Sequence, residues 1–146
     1  MAPSTPSPDA DTLERFVPAQ DDSYATALSE LRQGRKQSHW MWFIFPQLRG
    51  LGRSAASYHY GIADLDEARR YLAHPVLGPR LVACGEAILA HGDVPAETIM
   101  GAVDAAKLRS SATLFAAVED APPVFGRILR TFFQGQPCRR TLERIR

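Results

Sequence analysis

Cysteine is scarce in this chain: Cys84 and Cys138 stand far apart, in neither a CxxC nor a zinc-ligand pattern. A cytoplasmic protein with both thiols reduced is the expectation. Long apolar runs are also missing. The longest, residues 40–45, falls well short of the roughly 20 residues a membrane helix needs, so a soluble chain with no membrane partner is expected. The N-terminus has neither a basic start nor an apolar core, so no secretory signal is expected. No alternating β-branched run is present, and no two histidines stand at i, i+4, so strands and a helix-borne metal site both lack their usual pattern. Charge is nearly balanced, at +1 overall.

That balance is uneven along the chain. Residues 1–30 hold Asp9, Asp11, Glu14, Asp21, Asp22 and Glu30 against Arg15, whereas 121–146 hold Arg127, Arg130, Arg139, Arg140, Arg144 and Arg146 against Glu143. Nucleic-acid binders usually spread their basic face over the whole domain, so this asymmetry argues against a nucleic-acid partner. Residues 1–10, rich in Pro, Ser and Thr, are expected to be a disordered tail, 11–136 a single domain, and 137–146 a basic C-terminal tail. A chain of 146 residues buries about two-thirds of its unfolded surface in one core.

Helical spacing dominates what is present. Asp21 or Asp22 is expected to cap a helix carrying Tyr24, Leu28 and Leu31, closed by Gly34. Asp64 with Glu67 forms a variant capping box ahead of Leu65, Ala68, Tyr71 and Leu72, ending at His74-Pro75. Leu77, Leu81, Cys84 and Ile88 mark the next helix, although Gly78, Pro79 and Gly85 weaken it. A short turn follows between Asp93 and Gly101, then a helix over 104–118 and a last apolar one through Phe125, Ile128, Leu129, Phe132 and Phe133. The predicted fold class is all-α: a compact single-domain bundle of six to eight short helices.

The densest feature is Ser38-His39-Trp40-Met41-Trp42-Phe43-Ile44-Phe45-Pro46-Gln47, which holds both tryptophans. As a strand, both faces would be apolar and would need a buried sheet that the rest of the chain cannot supply. The run therefore reads as a short helix over 39–44, capped by Ser38 and stopped before Pro46. Trp40 and Trp42 then lie about 200° apart, so one is expected in the core and the other over a cleft. His39, at the helix start, is either a satisfied rim residue or a base near neutral pH. Ser54 is expected to cap a segment over 55–60. The loop Gly50-Leu51-Gly52 between arginines is a turn or a phosphate cradle, but matches neither a P-loop nor a dinucleotide fingerprint. Ser111 falls within an apolar stripe, with Lys107 on its edge. Its hydroxyl either bonds back to the carbonyl four residues earlier or joins Lys107 in a pocket wall.

Several stretches together resemble the DUF1810 family of small bacterial and fungal proteins, over roughly residues 13–135. They are Arg15-Phe16 and Ala19-Gln20, residues 34–48, Gly50-Leu51-Gly52, Tyr60-Gly61-Ile62, His74-Pro75 with Leu77-Gly78, and Lys107-Leu108-Arg109-Ser110-Ser111 leading to Thr113-Leu114-Phe115. The resemblance implies a compact all-helical fold and does not itself imply an activity; the calpastatin label carried by some members has no support in these residues. Ala112 stands where the family more often has methionine.

These readings converge on a cleft where the 38–47 block meets the 107–115 helix. The expected ligand is small and polar or nucleotide-like, with Trp40 or Trp42 stacking, His39 and Gln47 hydrogen-bonding, Lys107 or Arg109 supplying charge and Ser111 in the wall. No cofactor or metal is read. In an enzyme version, His39 would be the general base. The competing reading is an interaction module, or a homodimer contact in place of a monomer, built on an exposed aromatic block.

Overall fold

Apart from one bridge pair, every regular element in the structure, a computed structural model that describes residues 12–145, is helical. A 3-10 turn (Leu13–Arg15) leads into α1 (Phe16–Gln33), then α2 (Met41–Ile44), α3 (Ala55–His59), α4 (Leu65–Ala73) and α5 (Leu77–Leu89). The chain continues through α6 (Ala96–Met100), α7 (Ala102–Ala116), α8 (Val124–Phe133) and α9 (Arg139–Ile145). The fold is an all-α single-domain bundle, with nine α-helices among the described residues. The tail expected over 1–10 lies outside them. No helix among them is long and apolar enough to cross a membrane.

α1 starts earlier than its acidic pair suggests. Phe16, Gln20, Ala27 and Leu31 are buried along it, and Pro18 sits in the first turn, where a missing N–H leaves no helical bond unmade. Asp21 and Asp22 are therefore exposed in the second turn rather than capping, and Asp21 pairs with Arg80 at 3.1 Å. Gly34 ends α1 as expected, at φ 75°. The ring of His91 stands 2.8 Å from where a side-chain carbon on Gly34 would be, so this position excludes other residues twice over.

Half of the capping box forms. Asp64 accepts the Glu67 N–H at 2.8 Å, but the Glu67 carboxylate turns inward to Arg15, 2.9 Å away, and to the Ala63 N–H. Arg15 also donates to the carbonyls of Gly61, His59 and Thr12, which ties the 3-10 turn, α3 and α4 together in a buried ion pair. The glycine that weakens α5 by propensity has a packing role. A side-chain carbon on Gly85 would stand 2.8 Å from a Val124 methyl, so its absence lets α8 approach α5. His74 caps the start of α5, its Nδ1 accepting from the N–H groups of Val76 and Leu77.

The core runs from Phe16 through Tyr71 to Phe115 and Phe125, each ring within 5.4 Å of the next by centroid. α7 threads this core and packs against α8, α6, α4 and α9. Residues 137–146, expected to be a basic tail, carry α9, whose Thr141 is fully buried and bonds the Ser110 hydroxyl of α7 at 2.9 Å.

Candidate functional site

Glu30 near the end of α1 organises the aromatic block. It is buried, and accepts from the N–H of Gln37 at 2.7 Å, the N–H of Ser38 at 3.0 Å, the Ser38 hydroxyl at 2.6 Å and the indole N–H of Trp40 at 2.9 Å. Burial would raise its pKa. The Ser38 hydroxyl, the two backbone donors and the Trp40 indole outweigh that and bring it down to about 2. Because Ser38 is committed to Glu30, it does not cap the following helix: α2 begins only at Met41, with Trp40 ahead of it at φ −135°. The expected helix over 39–44 is thus shortened at its start, and His39 is exposed on the incoming loop.

The tryptophans divide between core and cleft as expected, although Trp40 stands ahead of the helix and not on it. Trp40 is buried at 1% exposure, whereas Trp42 is only partly covered and lies on the wall of a cleft of about 1130 Å³. One side of this cleft is Trp42, Gln47, Leu51 and Gly52; the other is Lys107, Arg109 and Ser110 of α7; the start of α9 closes it with Cys138, Arg139 and Arg140. Lys107, Arg109, Arg139 and Arg140 give the lining four cations, and Glu143 is its single carboxylate.

Lys107 is positioned from two sides. Its Nζ stands 3.9 Å from the centroid of the Trp42 ring and 3.1 Å from Asp104, one helical turn earlier. Asp104 also takes Lys36, at 2.9 Å. Lys36, in turn, donates to the Ser38 carbonyl at 2.6 Å and lies over the Trp40 ring. Burial works against the Asp104 carboxylate, yet its bonds to Lys36 and Lys107 hold it below the usual range. Two ammonium groups thus share one carboxylate, with side chains only 8%, 19% and 18% exposed for Lys36, Lys107 and Asp104. The triad keeps an excess positive charge in a place where water screens it poorly.

Of the seven residues singled out from sequence, the cleft brings together Trp42, Gln47, Lys107 and Arg109. Trp40 belongs to the core and His39 is outside the lining. Ser111 faces the core on α7; its buried hydroxyl has no hydrogen-bond partner, so neither the back-bond nor the pocket wall is realised. Thr113 makes such a back-bond instead, to the Arg109 carbonyl at 2.8 Å. The glycine loop works as a turn against α9, the Leu51 carbonyl accepting from Arg140 at 3.1 Å. Ser54 caps α3 by accepting the Ser57 N–H at 3.0 Å.

Sequence reasoning missed Cys138, Ser110, Arg139 and Arg140. The available signal was the pair Leu142 and Ile145, spaced as one face of a short helix among the arginines. Burial acts to raise the Cys138 thiol, but the Thr141 hydroxyl and N–H, the Ser110 hydroxyl and the Arg140 N–H together lower it. Cys84 is the opposite case: burial inside α5 pushes it up to about 12. Among the described residues, no group of three or more His, Cys, Asp or Glu could hold a metal ion.

No curated protein matches the chain. It is similar to a conserved hypothetical protein of Mycobacterium tuberculosis, Rv1873, known from a crystal structure: 47% identity, 91% of this chain and 95% of that one covered, TM-score 0.89. A family model described as "Protein of unknown function (DUF1810)" matches residues 10–145, and the chain belongs to that family.

Proposed function

We propose that the cleft binds a small anionic ligand, its anion received by Lys107 with Arg109, Arg139 and Arg140 around it. The observation that carries this reading is the partly buried surplus of positive charge at Lys36, Asp104 and Lys107, of which Lys107 itself lines the cleft, beside Arg109, Arg139, Arg140 and one carboxylate. Removing charged groups from water without full pairing costs free energy, and an arriving anion would recover part of it. Gln47, at the same wall, can donate and accept, which suits a polar ligand.

The interaction reading has less behind it. Trp40, Met41, Ile44 and Phe45 are all buried, so little of the block remains to form an exposed apolar patch. A role for His39 as general base also loses its geometry, since the imidazole lies outside the cleft lining.

Thermal-shift measurements against sugar phosphates, nucleotides and ADP-ribose-type compounds test the proposal. A ligand at 100 times its Kd stabilises the protein by about 2.7 kcal/mol, and for the sugar phosphates, which carry an anion and no planar ring, Lys107→Ala should abolish most of that shift. Equal shifts in wild type and Lys107→Ala would overturn the assignment of the site.

A further inference from the structure

Trp42 offers a ring at the wall of the cleft, yet this chain's own Lys107 covers one face of it, with Nζ 3.9 Å from the centroid. A planar ligand cannot stack there while the ammonium stays. Lys107 is nevertheless held in a way that lets it leave. Its carboxylate partner Asp104, 3.1 Å away, is also paired to Lys36 at 2.9 Å, so withdrawing Lys107 does not strand an unpaired charge. Lys36 is the fixed member: it is less exposed, bonds the Ser38 carbonyl and lies 4.9 Å from the centroid of the Trp40 ring. The triad therefore has one anchored cation and one that can be given up.

Resting on the reading of the cleft as an anion site, we propose that Lys107 is a gate over the Trp42 ring, latched by Asp104 and opened when a ligand's anion draws the ammonium away. The ring face becomes free only when an anion is present. The cleft then selects molecules that join an anion to a planar ring, the nucleotide class, over either half alone. Asp104 is a positioning residue in this scheme: it touches Lys107, and acts on the ligand through it.

Calorimetric titrations of the full chain with AMP, adenosine and inorganic phosphate test the gate. Wild type should bind AMP more tightly than phosphate, and adenosine weakly. In Lys107→Ala the ring is permanently uncovered, so adenosine should bind about tenfold more tightly than to wild type, within the range of a cation–ring contact, while the advantage of AMP over adenosine shrinks. Adding Trp42→Leu should erase the adenosine gain. Asp104→Asn, which unlatches Lys107 and leaves the ring partly accessible, should tighten both phosphate and adenosine. If wild type binds AMP and phosphate but adenosine affinity is unchanged in Lys107→Ala, the gate is wrong and the anion site stands. If wild type binds neither AMP nor phosphate, the underlying reading fails and the gate with it.

Discussion

With four donors converging on one buried carboxylate, Glu30 fixes where the Ser38-to-Gln47 block enters the core. Its folded pKa, about 2, lies below its ordinary value of 4.5, so the stability it confers is fully present above pH 4.5 and is lost as pH falls toward 2. Glu30→Gln should cost about 3 kcal/mol at neutral pH, and the variant's stability should fall less than that of wild type between pH 4.5 and 2; urea melts across that range read both effects. The two thiols make a second contrast. Cys138 opens on the cleft with its pKa lowered, whereas Cys84 is buried with its pKa raised, so iodoacetamide at neutral pH should alkylate Cys138 at least about tenfold faster. Peptide mass mapping distinguishes them, and equal rates would contradict the described surroundings. At this scale the expected parting of the two tryptophans is seen, but not through the helical period it was read from: Trp40 lies ahead of α2 and is drawn into the core by its indole bond to Glu30, while Trp42, inside α2, is left at the cleft. The sequence could not place His39, because the capture of Ser38 by Glu30, eight residues earlier in the chain, is a tertiary contact.

The elements were legible where an apolar stripe and its punctuation agree. Gly34 after α1, Asp64 before α4 and Ser54 before α3 all stand where their chemistry predicts. Punctuation misled where it served another purpose: the acidic pair Asp21 and Asp22 looks like the start of α1 but lies inside it, because the helix begins at Phe16, which is buried in the core. α9 was hidden by its arginines, although Thr141 is wholly buried and bonded to Ser110. A chain ending at residue 136 should therefore lose stability, by about 2–4 kcal/mol from the lost burial and the severed hydroxyl pair. It should also lose the wall that carries Cys138, Arg139 and Arg140. Denaturant melts of the shortened and full chains decide this; unchanged stability would mean that α9 is an appendage.

At the scale of the whole molecule, the fold class follows from apolar spacing that is helical almost throughout, with no segment able to serve as a central strand. The cleft does not follow in the same way. Its walls come from residues near 42, 107 and 138; a meeting of the first two was expected from the sequence, whereas the third is brought in by packing that sequence spacing does not reveal. What could be anticipated was the chemistry of two walls, Trp42 with Gln47 and Lys107 with Arg109; the third wall came from a stretch expected to be a tail. The central claim, that this cleft receives an anion at Lys107 beside Trp42, has a direct spectroscopic test. The chain holds two tryptophans and so gives two indole N–H resonances, one from Trp40, buried and bonded to Glu30, and one from Trp42 at the cleft wall. On titration of ¹⁵N-labelled protein with pyrophosphate or AMP, the Trp42 indole signal should shift progressively and saturate while the Trp40 signal stays in place. A Trp42 signal that remains fixed through the titration, or a response confined to Trp40, would contradict the account.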